Sequence, residues 1–234
     1  MNQVNRISAH SKHINRECPL TFTFNNKKYQ GFEGDTLASA LLANGVDVVG
    51  RSFKYSRPRG IITSDSQEPN AIFQIGSTQE TTIPNPRATQ TELYQGLTAS
   101  STNGWPNVDF DLMSTVGKLG GAMMPPGFYY KTFMYPQSLW MSYEHFIRKS
   151  AGLGASPQQR DPDSYDKMHH HCDVMIVGGG AAGLSAALAA ALAGARIIIC
   201  DEQNEFGGHL LCSKQLINDQ APSKWVKHIV AQLT

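Results

Sequence analysis

A chain of 234 residues, 41% hydrophobic and 17% charged with a formal net charge of +1, has the composition of a soluble globular protein of about two domains. The near-zero charge argues against a dedicated nucleic-acid binder. No apolar run approaches the roughly 18 residues that a membrane span needs, and Met1-Asn-Gln-Val-Asn-Arg6 lacks an apolar signal core, so the cytoplasm is the expected compartment.

Residues 1–17 are polar and are expected to form a flexible amino-terminal segment, mobile or draped on a partner. Leu20-Thr-Phe-Thr-Phe24 alternates as a strand, Asn25-Asn26 supplies a turn, and Lys28-Tyr-Gln-Gly-Phe32 returns as its hairpin partner. Asp35 to Asn44 reads as a helix capped by Asp35 and closed by Gly45, with Leu37, Ala38, Leu41 and Leu42 on one buried face. Ala71-Ile-Phe-Gln-Ile75 is a further strand. Hairpin, helix and strand together predict a small α+β module of the β-grasp type over residues 18–109. Within it, Arg51, Lys54, Arg57 and Arg59 suggest a polyanion site, but Phe53, Tyr55 and Pro58 beside them favour a solvated or subunit-facing loop.

Residues 110–171 read as a connecting segment. Its part from 110 to 150, rich in aromatics, Met and Pro, shows no helix or strand period and is expected to lie across another domain or subunit. His169-His-His-Cys172 resembles a metal tract, yet neighbouring residues of an extended segment point to alternate faces, so a solvated linker and no metal site are expected. The four cysteines, Cys18, Cys172, Cys200 and Cys212, are scattered without a C-x-x-C pair, and no disulfide framework is expected. Cys172 and Cys200 read as small hydrophobes at strand positions.

Residues 172–234 carry the densest signal. Val174 to Val177 suits a buried parallel strand, and Gly178-x-Gly180-x-x-Gly183 follows it directly. The first glycine permits the tight turn, the second lets the backbone approach a pyrophosphate, and the third lets helix and strand pack closely. Leu184 to Ala193 is a nearly pure Ala and Leu helix, expected to be buried on several sides and closed by Gly194. Its amino-terminal N–H groups suit a diphosphate. Arg196 to Cys200 is a second buried strand ending at Asp201 and Glu202, where a carboxylate can accept from ribose hydroxyls and would repel a 2′-phosphate, favouring NAD over NADP. Asp201, five residues and Gly207-Gly208 after such a turn resemble the two-dinucleotide-binding flavoprotein families, a resemblance that implies the ADP half of FAD in this unit. NAD and FAD present the same ADP-ribose, so both stay open. The contact residues expected are Gly178, Gly180, Ala182 and Gly183 for the pyrophosphate, Asp201 and Glu202 for the ribose, and Gln203 and His209 as secondary contacts. A last helix places Trp225, Ile229 and Leu233 on one side, with Ser223 as its cap.

Several separated stretches carry a family resemblance. Gly34-Asp-Thr-Leu-Ala-Ser-Ala-Leu-Leu-Ala-Asn-Gly45, Arg51-Ser-Phe-Lys-Tyr-Ser-Arg-Pro-Arg-Gly-Ile61, Gly127-Phe-Tyr-Tyr-Lys-Thr-Phe-Met-Tyr-Pro136, Trp140, Tyr143-Glu144 and Ile147-Arg-Lys149 precede His171-Cys-Asp-Val174, the triple glycine and Asp201-Glu-Gln203. In this order they resemble the amino-terminal portion of the heterotetrameric sarcosine oxidase α subunit family. The resemblance implies a β-grasp domain similar to [2Fe–2S] ferredoxins, followed by a Rossmann-type dinucleotide-binding domain. Some relatives keep the cluster ligands, whereas this chain has no cysteine between Cys18 and Cys172, so a cluster-free module is expected. It further implies NAD at the Rossmann site, FMN shared with a β subunit, and γ- and δ-type partners. The reaction implied is oxidative demethylation of sarcosine to glycine, with H2O2 formed and the one-carbon unit passed to tetrahydrofolate. The amine-oxidising FAD would belong to the β subunit, so no catalytic residue is assigned here.

These 234 residues do not include the remaining strands of a doubly wound sheet, the inserted second dinucleotide domain or the folate domain. A two-stranded parallel sheet would leave Val174–Val177 and Ile197–Ile199 without neighbours, which predicts a chain that is marginally stable alone or is a truncated or split gene product, and that is inactive alone. Two other readings are a subunit of a related opine- or glycine-oxidising flavin dehydrogenase, similar to hydrogen cyanide synthase, and a non-catalytic dinucleotide-binding scaffold.

Overall fold

In the computed structural model, which describes residues 3–8, 13–53, 55–112, 114–115 and 135–234, the chain divides into two units, Met1–Pro162 and Asp163–Thr234. The first unit begins with the expected hairpin. Strands β1 (Asn15–Phe24) and β2 (Lys27–Glu33) pair antiparallel, with Phe24 opposite Lys27. Asn25 and Asn26 both adopt left-handed backbone, at φ 49° and 63°. That geometry matches the twist of a two-residue hairpin, and asparagine tolerates it.

Helix α1 (Leu37–Ala43) forms where predicted, but its cap is Thr36, not Asp35. The Thr36 hydroxyl accepts the Ser39 N–H at 3.1 Å, and the Ser39 hydroxyl accepts the Thr36 N–H at 3.0 Å, a reciprocal capping box. Asp35 is fully buried and otherwise occupied. It accepts the Phe32 N–H at 3.0 Å and the Ser39 hydroxyl at 2.6 Å, and a two-pronged ion pair from Arg6 at 2.8 and 2.7 Å. Leu42, expected on the buried face, is 40% exposed, whereas Leu37, Ala40 and Leu41 are buried, because their spacing of three and four residues defines the inward stripe.

The Arg6 pair also corrects the expectation of a flexible amino terminus, for residues 3–8. The Arg6 guanidinium lies 5.3 Å from the Phe32 ring centre, the Asn5 N–H donates to the Ala43 carbonyl at 3.1 Å, and the Gln3 amide reaches the Gln30 carbonyl. Gln3, Asn5 and Arg6 thus each have a partner on the module, while Val4 and Ile7 are exposed.

Five strands form one sheet in the order β2-β1-β7-β5-β6, with β5 at Ile72–Ile75, β6 at Ile83–Arg87 and β7 at Thr98–Ser101. A separate two-stranded ladder joins β3 (Gly50–Arg51) to β4 (Pro58–Arg59). Strand β7 runs parallel to β1, and the other pairings in the large sheet are antiparallel. Phe22, Phe24, Leu37, Leu41, Phe73 and Leu97 dominate the core, with the Phe24 and Phe73 rings 4.9 Å apart.

Within the stretch expected to lack a helix, α2 (Trp140–Ala151) forms and ends at Gly152 in left-handed backbone. The chain beyond it holds to unit 1: the Gly154 N–H donates to Asn85 at 2.7 Å and the Ala155 N–H to Gln74 at 2.8 Å. Residues 116–134, including most of the aromatic stretch Gly127–Pro136, lie outside the described residues, as does Lys54.

In unit 2, β8 (Val174–Val177) and β9 (Ile197–Cys200) pair in parallel, residue 174 opposite 197 through 177 opposite 200. Between them runs α3 (Ala181–Leu192), and α4 (Pro222–Leu233) follows. Leu184, Val226 and Ile229 form the buried centre, with Trp225, Leu233, Ile199 and Phe206 packed around it. The capping expectation for α4 is corrected: its cap is Ala221 and Pro222 opens the helix, since proline's missing N–H costs nothing there. The strands are not buried as predicted. Met175 is 62% and Val177 80% exposed, while Ile176 on the opposite face approaches α3. Likewise only Leu184 and Ala187 of α3 are buried. Cys172 precedes β8, whereas Cys200 ends β9. Residues 169–171 are exposed and outside regular structure. No described helix is long and apolar enough to cross a membrane.

Candidate functional site: the glycine turn of unit 2

Gly178 leaves β8 with φ 103° and donates its N–H to the Cys200 carbonyl at 2.8 Å, so the turn starts while still bonded to β9. A side chain at this φ would be strained. Gly183 meets a different demand. A Cβ there would collide with the Gly178 carbonyl oxygen, so the helix can pack this close to the turn only without one. Helix α3 begins inside the motif, three residues earlier than predicted, because Gly180 itself is its amino-terminal cap.

Gly180 is the informative one. Its φ of −73° is open to any residue, and a Cβ built on it meets nothing within 4 Å. No side chain caps the helix here. The N–H groups of Ala181, Ala182 and Gly183 therefore begin a helix at an open surface, where an anion is favoured.

Asp201 is brought to the turn. Its Oδ2 accepts the Gly179 N–H, and its Oδ1 accepts the Gln203 N–H at 2.8 Å. The sequence reading has this carboxylate free for a ribose, whereas in the structure it first pins the glycine turn to the end of β9. A carboxylate has about four acceptor positions, so the two bonds leave capacity for a hydroxyl. Glu202 is exposed. Gln203 contributes its backbone N–H to Asp201. His209 is exposed in a short 3-10 turn, Gly208–Leu211, with its Nδ1 3.8 Å from the Cys212 sulfur.

The Gly207-Gly208 pair returns to the motif: the Gly207 N–H donates to the Gly179 carbonyl at 2.8 Å, and a Cβ on Gly208 would lie 3.3 Å from the Gly180 Cα. Phe206, which the sequence reading did not single out, covers Gly179 so closely that any side chain there would strike its ring. Its position immediately before the glycine pair was the available signal. At the far end of the sheet, Arg196 grips Asp173 at 2.9 and 3.1 Å. The Arg196 guanidinium and N–H hold the Asp173 carboxyl below the usual range, and Asp173 in turn raises Arg196.

The basic segment of unit 1 is less available than its sequence suggests. Arg51 donates to the carbonyls of Val108, Ser56 and Asp109 at 2.7, 3.1 and 3.0 Å, and Arg57 lies over the Tyr55 ring at 4.9 Å. Arg59 is exposed on β4.

Two family matches divide the chain in the same way as the structure. Residues 17–104 match the family described as a 2Fe-2S iron-sulfur cluster binding domain, and residues 173–222 match the FAD binding domain family. Among curated proteins the chain is 50% identical over 218 residues to sarcosine oxidase subunit alpha of Rhizobium meliloti, covering 92% of this chain and 22% of that protein. It is 31% identical to the protein of the same name from Corynebacterium sp. strain U-96, covering 100% of this chain and 20% of that one. The chain thus spans about a fifth of the length of these relatives. A solved L-proline dehydrogenase from P. horikoshii aligns with a TM-score of 0.48 at 17% identity, over 100% of this chain and 34% of that one.

Proposed function

We propose that this chain, a member of the sarcosine oxidase alpha-subunit family, binds the ADP half of a dinucleotide at the glycine turn of unit 2. The observation that carries this is Gly180: besides capping α3, it leaves open space where a side chain would stand, which suits close approach of a ligand to the backbone. The FAD binding domain match favours FAD, with NAD as the competing occupant because both carry ADP-ribose. Gly178, Gly180, Ala182 and Gly183 would present backbone to the pyrophosphate, and Asp201 and Glu202 would accept from the ribose, with Gln203 and His209 beside them. A dinucleotide held there supplies electron-pair or hydride transfer, while this chain's residues bind and orient it.

In the whole enzyme this unit would support oxidative demethylation of sarcosine. Two electrons leave the substrate and reduce oxygen to H2O2, and the one-carbon unit passes to tetrahydrofolate. FMN and the β, γ and δ-type subunits belong to that larger assembly. The β-grasp module is proposed to be cluster-free: a [2Fe–2S] centre needs about four thiolates or close substitutes, and residues 17–104 contain Cys18 alone.

Gly180→Ala tests the site without disturbing its fold. The variant should melt like the parent, yet bind FAD and NAD at least about tenfold more weakly by calorimetry. Unchanged affinity for both would sink the assignment.

A further inference from the structure

Glu68 lies in the loop from β4 to β5 and is 0% exposed. Its Oε2 accepts the N–H groups of Ile62 and Thr63, each at 2.8 Å, and lies 3.4 Å from the Thr63 hydroxyl. Its Oε1 accepts the N–H groups of Asn70 at 2.8 Å and Ala71 at 3.3 Å. One carboxylate thus gathers four backbone donors from both ends of the loop. Among the described residues no cation forms an ion pair with it. Arg87 on β6 reaches only the Glu68 carbonyl, at 3.3 Å, and Asp65 on the same loop binds the Gln67 N–H.

A buried carboxylate without a cation is costly unless N–H dipoles replace its water. Burial pushes the Glu68 carboxyl up, yet the N–H groups of Thr63, Asn70, Ile62 and Ala71 outweigh it, and the group is held below the usual carboxylate range. Converging backbone N–H groups form a concavity for anions, a kind of site that also accommodates iron–sulfur clusters. This loop lies inside the region matched to the 2Fe-2S family and has no cysteine.

We infer that the Glu68 carboxylate is an internal anion that organises residues 60–71, doing in this module the ordering that an iron–sulfur cluster does in a domain of the type its family describes. The inference rests on the cluster-free reading above and adds to it a named replacement. It makes the module a redox-silent scaffold whose loop is assembled by charge instead of by metal.

Hydrogen exchange on the full chain, read by mass spectrometry at amides 62, 63, 70 and 71, tests it. Glu68→Gln keeps the shape but turns one acceptor oxygen into a donor, so two of the four amides should exchange at least about tenfold faster. Glu68→Ala should release all four, with sodium formate restoring protection where equal sodium chloride does not. Protection in Glu68→Gln equal to that of the parent would overturn the inference, and that variant decides the matter even if Glu68→Ala fails to fold. Stoichiometric iron and acid-labile sulfide in the purified chain would instead overturn the cluster-free reading beneath it.

Discussion

The two units invert the usual relation between legible sequence and solid structure. Unit 2 carries the motif that names a ligand, yet its sheet has two strands and its buried centre is Leu184, Val226 and Ile229. Unit 1 has no glycine turn of that kind among its described residues, yet it holds a five-stranded sheet with Phe22, Phe24, Leu37, Leu41, Phe73 and Leu97 fully enclosed. A binding turn needs open backbone and glycines without side chains, and each of those features removes material from a core. The difference teaches that the recognisable part of a chain need not be the part that stabilises it.

Matched truncations give the largest expected effects. Phe73→Ala should lower the stability of unit 1 by about 3–5 kcal/mol while its denaturant transition stays cooperative. Ile229→Ala removes less, about 2–5 kcal/mol, but from a smaller core, and should abolish the cooperative transition of unit 2. Hydrogen exchange resolves the two units; equal loss of protection in both units from either variant would break the comparison.

Arg6→Ala comes next. It leaves the fully buried Asp35 without its guanidinium and should cost unit 1 about 3 kcal/mol in denaturant unfolding. A change too small to measure would mean that residues 3–8 merely rest on the module.

The smallest effect belongs to Asp173→Asn, at the exposed Arg196 pair. Because the Asp173 carboxyl is held below its ordinary range, its contribution to unit 2 is present above that range and fades as pH falls through the lowered value. The melting difference between parent and variant should therefore shrink in acid and in high salt. A difference that grows in acid would reverse this assignment.

Much of this was legible in local pattern. The β1–β2 hairpin follows from alternating Phe and Thr around Asn25-Asn26, and unit 2's strand–glycine–helix–strand order follows from apolar runs between glycines. Strands β6 and β7 were not legible. Pro84 and Pro86 disguise β6, which tolerates them as a sheet edge, and Thr98-Ala-Ser-Ser101 has no apolar signature although it is central. Its pairing with β1 joins residues about 75 positions apart, such as Thr23 with Thr98, a partnership that no local window contains.

The sequence by itself determined the form of the glycine turn and the kinship of the chain, because short-range spacing sets a turn's backbone. Only the tertiary structure decided what the charged residues do. Asp35 left its cap for Arg6, and Asp201 pinned the turn before meeting any ribose. Glu68, unremarkable in sequence, became the centre of a loop. A carboxylate's role depends on which donors surround it once water is gone, and folding alone brings those donors together.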